Sequence, residues 1–325
     1  MKELFAKSKA IMAALCVNLT IAIMKFAVAI VSGSASLLSE AIHSAADTLN
    51  QIVLLIGKRA AARPANDRHP FGYARASFFA SFLVASLLFF VGGAFSLLEA
   101  VEKIGHIGDG AATHEQTSFI IAAVILVISI GLEAFSFRTA LKEVAEQQAH
   151  DGTHMSVPRF FRETSNSSLI VVMTEDLAAM LGLMLALAGV VLTLVTGNLL
   201  FDALGGAAIG VLLIVAAAVL GKETASLIIG EALPAEKVTA IRTLVEDTEK
   251  VAGCRMIKTV AIGTDSLLVE VDVAFAEDGS VSAEQVLTAI VSIKADIHAL
   301  LEHDAQFINT CIEPVSPTAP LDREG

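Results

Sequence analysis

The sequence predicts an all-α membrane bundle of six transmembrane helices followed by a small cytoplasmic α+β domain of α-β-β-α-β order, and three observations carry that prediction. The 325 residues are 55% hydrophobic with a mean hydropathy of +0.71, whereas ordinary soluble domains are ~45–50% apolar. Six apolar stretches, at 10–32, 36–57, 76–101, 117–137, 167–196 and 201–221, each approach the ~20 residues that cross a bilayer as a helix. From Glu231 onward hydropathy falls and the periodicity changes. The expected division is a transmembrane domain over 1–230, a cytoplasmic domain over 231–313 and a disordered tail over 314–325.

The net charge of −12 is unevenly spread. Residues 231–325 hold 7 basic and 17 acidic side chains, so nucleic acid is not an expected partner. Basic residues also set the orientation. Lys2, Lys7 and Lys9, then Lys58, Arg59, Arg63, Arg68 and Arg75, then Arg138, Lys142, Arg159 and Arg162 fall on one face of a six-helix layout. Both termini are therefore expected in the cytoplasm. Cys16, Cys254 and Cys311 have no framework spacing and read as reduced thiols. Met1 to Lys9 reads as a charged lead into a full-length span rather than a cleaved signal.

In chain order, the first helix carries Asn18 and, deep in the span, Lys25. An intramembrane carboxylate such as Glu133 is its natural partner, as a structural ion pair or in coupling. The second helix follows the tight Ser32-Gly33-Ser34 turn. Its Glu40, His43, Asp47 and Asn50 stand at i, i+3, i+7 and i+10, one stripe of a 3.6-residue helix. His43 and Asp47 fall roughly 10 and 16 Å below its outer end, near the bilayer midplane. The connection from Arg63 to Arg75 is a turn. His69 and Asp67 there could bind a metal, although turn stabilisation is the better role for His69.

The third and fourth helices read as packing helices rich in small residues, and 143–165 as a solvated loop containing His150, Asp151 and His154. The fifth helix, entering from the cytoplasm near Asn166, brings Asp176 in by roughly 15 Å, level with His43 and Asp47. Its neighbour Glu175 diverges by ~100°, so Asp176 is taken as the ligand and Glu175 as a gating group or the alternative ligand. The sixth helix is expected to open with Asp202 at its N-cap and to use Gly205, Gly206 and Gly210 for close contact. In the tail, helices are expected at 235–249 and 282–302 and strands at 255–262, 266–276 and 306–312. Gly263-Thr264-Asp265 is expected to form a hairpin turn.

Imidazole and carboxylate suit zinc in a roughly tetrahedral shell. His43, Asp47 and Asp176 supply three ligands, while the i+4 position from Asp176 is Met180, a soft thioether. The open fourth place falls to water, Glu175 or a group on the second helix. Such ligands release protons on binding metal, so metal-proton exchange follows from the same atoms. Glu40 and Asn50, a turn to either side, read as steps on the ion's path. The other reading is that His43 and Asp47 simply pair within the bundle. No His-Glu-x-x-His or comparable catalytic pair occurs, so neither an enzyme nor a bound cofactor is expected.

These residues carry a family resemblance. Asn18 and Lys25, Ser34-Ala35-Ser36-Leu37-Leu38 leading into His43-x-x-x-Asp47, His69-Pro70-Phe71-Gly72-Tyr73 and the α-β-β-α-β tail together resemble the cation diffusion facilitator family. Ser39 to Asp47 and Glu175-Asp176-Leu177-Ala178-Ala179 are most similar to the branch with the mitochondrial zinc transporters, here in a bacterial version at the inner membrane. The resemblance implies a homodimer that exports a divalent cation, commonly zinc, against protons by alternating access. It implies His43, Asp47 and Asp176 as transport-site ligands. It also implies a ferredoxin-like, metallochaperone-like tail that, lacking histidine from Lys258 to Phe275, serves as a metal-free dimerisation platform. The departure at Met180 leaves manganese, iron or cobalt as alternative cargo, and a non-transporting partner subunit as an alternative role.

Overall fold

The computed structural model describes residues 19–106, 116–150, 166–276, 281–302 and 305–317. Asn18, Cys16, Asp151, His154 and most of the expected tail lie outside them. The chain forms two compact units. One draws on Met1–Arg59, Phe79–Ala145 and Ser168–Thr224; the other draws on Ala60–Phe78, Glu146–Ser167 and Ala225–Gly325.

The first unit is helical. Its elements are α1 (Leu19–Ser32), α2 (Ala35–Ala61), α3 (Ala76–Leu87) running through a π-helical stretch (Leu88–Ala94) into α4 (Phe95–His106), α5 (Gln116–His150), α6 (Ser167–Thr196) and α7 (Leu200–Ile229). Among the described residues four helices are long and apolar enough to cross a membrane: the run Ala76–Gly105, then Gln116–Thr139, Ser167–Thr196 and Leu200–Ile229. α2 has the length, at 27 residues, but its polar stripe lowers its hydropathy. α5 runs past the expected end at 137 as far as His150, because Ala140, Leu141, Lys142, Glu143, Ala145 and Glu146 are strong helix formers. The expected loop from 143 therefore starts as helix.

Leu37, Leu88, Leu126, Leu183, Val190, Ile209 and Leu213, from five different helical segments, form the core of the bundle. Small residues let the helices approach closely. A Cβ at Gly205 would fall on the Ser36 hydroxyl, so α2 and α7 meet at van der Waals distance.

The start of α2 is held by another helix. Ser34 Oγ accepts from the Leu37 N–H at 3.1 Å. The Asp202 carboxylate on α7 accepts from the Ala35 N–H at 2.5 Å, the Ser36 N–H at 3.3 Å and the Ser34 hydroxyl at 2.6 Å. The donors that a helix start leaves open are thereby satisfied inside the bundle. Asp202 thus caps α2 rather than its own helix, contrary to the expectation from sequence. α7 begins two residues earlier, and Asn198 Oδ1 takes the Leu200 N–H at 2.9 Å. Lys103 Nζ adds a 2.5 Å bond to the Gly33 carbonyl.

The second unit holds α8 (Ala235–Glu246), β1 (Val251–Gly263), β2 (Ser266–Phe275), α9 (Ala283–Leu301) and β3 (Phe307–Val315). The sheet order is β1-β2-β3, with β1 antiparallel and β3 parallel to β2. Alternation on the central strand buries Leu267, Val269, Val271 and Val273. Ile241 and Val245 of α8 and Ile293, Ile297 and Leu301 of α9 supply the rest of this core. Thr264-Asp265 turns the hairpin at the pairing of Gly263 with Ser266. Pro314, expected in the tail, pairs with Val273 at the end of β3. The turn after α2 belongs to this unit: Thr264 Oγ1 bonds Ser77 Oγ at 3.4 Å, and Gly263 lies against Ala74.

Candidate metal centre

The polar stripe of α2 faces inward. Glu40, His43 and Asn50 are buried, and the Asp47 side chain is 19% exposed. His43 Nδ1 stands 3.5 Å from Asp47 Oδ1, one helical turn on. Neither ring nitrogen of His43 has a hydrogen-bond partner among the described residues, and Asp47 Oδ1 has none either. Buried polar atoms are nearly always partnered, because leaving one open costs ~1–3 kcal/mol. An imidazole with two open nitrogens beside an open carboxylate oxygen is an arrangement that a cation would complete.

α6 supplies the facing side. Glu175 is buried, and its Oε1 accepts from Asn50 Nδ2 at 2.5 Å. Asp176 turns away toward α5, where Ser136 Oγ donates to its Oδ2 at 3.2 Å. The two neighbours diverge as the helix requires, with Glu175 rather than Asp176 meeting α2. Met180, one turn past Asp176, is half-buried. Glu133 on α5 lies near enough for its charge to act on both Asp47 and Asp176. Among the described residues, no three of His, Cys, Asp and Glu are gathered closely enough to hold a metal ion. The groups stand apart, His43 with Asp47 on α2, Glu175 against Asn50, and Asp176 against Ser136.

Glu133 is not the partner of Lys25, contrary to the expectation from sequence. Lys25 Nζ lies 3.4 Å from Glu40 Oε2 and donates to Ser44 Oγ at 2.8 Å. α1 and α2 form a tight hairpin about Gly33, so the nearest carboxylate comes from the adjoining helix. Glu40 Oε1 has no hydrogen-bond partner among the described residues and points at Gly182 on α6. Sequence reasoning misses Ser136 and Gly182, because an isolated serine and glycine in an apolar helix carry no periodic signal.

In the loop, His69 Nδ1 is buried with no hydrogen-bond partner among the described residues. Asn66 organises its turn: its Oδ1 accepts from the Arg68 and His69 N–H groups, and its Nδ2 donates to Tyr73 Oη at 2.9 Å. The His69 ring packs 4.2 Å from that of Tyr73, and Asp67 is exposed. In the sheet, Cys254 is buried and its thiol is pushed up in pKa, first by burial and then by nearby Glu246 and Asp272, with Arg242 opposing.

Comparison with known proteins points the same way as the polar stripe. The chain is 29% identical over 314 residues to "Proton-coupled zinc antiporter SLC30A9, mitochondrial" of Xenopus laevis, covering 93% of this chain and 54% of that one. It is 27% identical over 267 residues to "Metal tolerance protein C4" of Arabidopsis thaliana, covering 82% and 57%. It is 32% identical over 88 residues to "Magnetosome protein MamM" of Magnetospirillum gryphiswaldense, covering 27% of each. The chain thus spans about half the length of the first two relatives. Residues 11–229 match the family described as "Cation efflux transmembrane domain", and the chain belongs to the cation efflux family.

Proposed function

We propose that this chain is a secondary transporter, not an enzyme, which moves a divalent cation, zinc first, out of the cytoplasm in exchange for protons. The observation that carries the reading is the buried His43, with both ring nitrogens open beside Asp47, on the helix whose Asn50 meets buried Glu175. The family match and the printed descriptions of the zinc antiporter relatives support it.

In this reading His43 and Asp47 bind the ion from α2, and Asp176 and Glu175 complete its shell from α6. The half-sites close when the ion arrives and part when it leaves, which suits alternating access. A wet, incomplete shell releases its ion more readily than a closed one, and each ligand must give up a proton to bind metal. Glu40 and Asn50 mark the path on either side of the site. We take the bundle as six spans, counting α1 and α2, with both ends of the chain in the cytoplasm. The α-β-β-α-β unit, ferredoxin-like in element order, joins two copies as a homodimer in a bacterial inner membrane.

The test is zinc uptake into proteoliposomes driven by an imposed pH gradient. His43→Ala and Asp47→Ala are each expected to abolish the flux, while circular dichroism shows an intact fold. Unchanged flux in both variants refutes the site.

A further inference from the structure

The transport reading leaves Lys25 unexplained. Lys25 is 1% exposed, and its ammonium is held by two groups of α2, Glu40 and Ser44, four residues apart. Those two groups bracket His43: Ser44 is its immediate neighbour and Glu40 lies one turn toward the Gly33 end. The Glu40 carboxylate is caught between three helices, since one oxygen meets Lys25 on α1 and the other faces Gly182 on α6.

A buried ion pair is a poor means of holding helices together, because desolvation takes back most of what attraction gives, and an apolar pair of like volume would serve as well. Its chemistry is better suited to exchange. A fixed +1 charge occupies the carboxylate next to the site of a mobile +2 charge, and both compete for the same oxygens. Lys25 also bonds Ser44, the residue next to His43, so its charge lies beside the proposed site as well as at Glu40.

We propose that Lys25 is a tethered cation that holds the place of the travelling ion at Glu40, so that the ion passes from His43 and Asp47 toward the Gly33 end only by exchange with the lysine ammonium. The inference rests on the transport reading. Lys25 binds no metal; it keeps Glu40 from becoming a trap, and its departure opens the next step of the path.

The test is zinc flux in proteoliposomes reconstituted with the full chain, read with an internal zinc-sensitive dye over a range of zinc concentrations to separate KM from kcat. Lys25→Met frees Glu40 and removes a repelling charge, so KM is expected to fall about tenfold, with kcat falling because the ion is released slowly. Lys25→Arg keeps the charge and is expected to bring KM back to within about threefold of the original. In Lys25→Met with Glu40→Gln the local net charge is unchanged, so KM should stay within about threefold while kcat drops about tenfold or more, the exchange partner being gone. The double variant also serves if Lys25→Met alone does not fold.

A purely structural pair predicts something else: Lys25→Met lowers stability and kcat at unchanged KM, and the neutral double variant transports at the original rate. Either result overturns the inference. If the unaltered chain moves no zinc, the transport reading itself falls and this inference falls with it.

Discussion

Gly182→Ala tests whether Glu40 is held as tightly as its surroundings imply. A methyl group at 182 would lie 2.5 Å from Glu40 Oε1, closer than any real contact of that kind. The carboxylate is the tip of a flexible side chain, which would ordinarily swing aside at little cost. Here it is fully buried and its other oxygen is engaged by Lys25 at 3.4 Å, so making room means loosening that pair or parting α2 from α6. Breaking a buried pair outright costs ~3–5 kcal/mol, and displacing one should cost about 2–4 kcal/mol.

Gly131→Ala on α5 is the control. Nothing lies within 4 Å of a Cβ there, so the helix should gain about 0.5–1 kcal/mol from the same change. The assay is thermal unfolding of the detergent-solubilised chain. At roughly 2–4 °C per kcal/mol, Gly182→Ala is expected to lower Tm by on the order of 10 °C and Gly131→Ala to raise it slightly. Adding Lys25→Met and Glu40→Ala should remove most of the Gly182→Ala penalty, since the obstacle is then gone. Equal shifts at the two glycines would refute the argument that Glu40 is fixed in place.

Two further expectations follow from single contacts. Asn50→Leu removes the donor to Glu175 and should cost about 1–3 kcal/mol; Asn50→Asp sets two carboxylates together and should cost more, so identical unfolding temperatures for the two would count against the 2.5 Å contact. In the sheet, a maleimide at pH 8 should label exposed Cys311 well before Cys254. Burial raises the Cys254 pKa and lowers its reactive thiolate fraction below that of an ordinary thiol. Raising the pH should speed Cys254 labelling, and equal rates for the two thiols at pH 8 would show that the β1 side chain is not buried.

What the sequence makes legible is whatever repeats locally. The stripe of Glu40, His43, Asp47 and Asn50 follows from helical spacing alone, and the alternation Leu267, Val269, Val271, Val273 is enough by itself to mark the central strand. What it hides is which groups meet across the fold. Glu133 is the natural partner for Lys25 in one dimension, and only the tight α1–α2 hairpin selects Glu40. Glu175 and Asp176 are adjacent, and the roll of α6 about its own axis decides which meets Asn50. Asp202 has the position of an N-cap, yet its carboxylate serves Ala35 and Ser36, 167 and 166 residues earlier. Hydropathy understates the length of α5 because an apolar window ends where charge begins, whereas a helix of Ala, Leu, Lys and Glu does not.

The Asp202 clamp also bears on how the chain is made. α2 is made before α7, so the N–H groups of Ala35 and Ser36 wait through the synthesis of 167 and 166 residues for their acceptor. Until then α2 has open donors and a carboxylate-bearing face that lipid would not satisfy. The cap at the start of α2 is complete only when Asp202 arrives. A chain cut short before Leu200 lacks that acceptor, and the start of α2 is left with open donors.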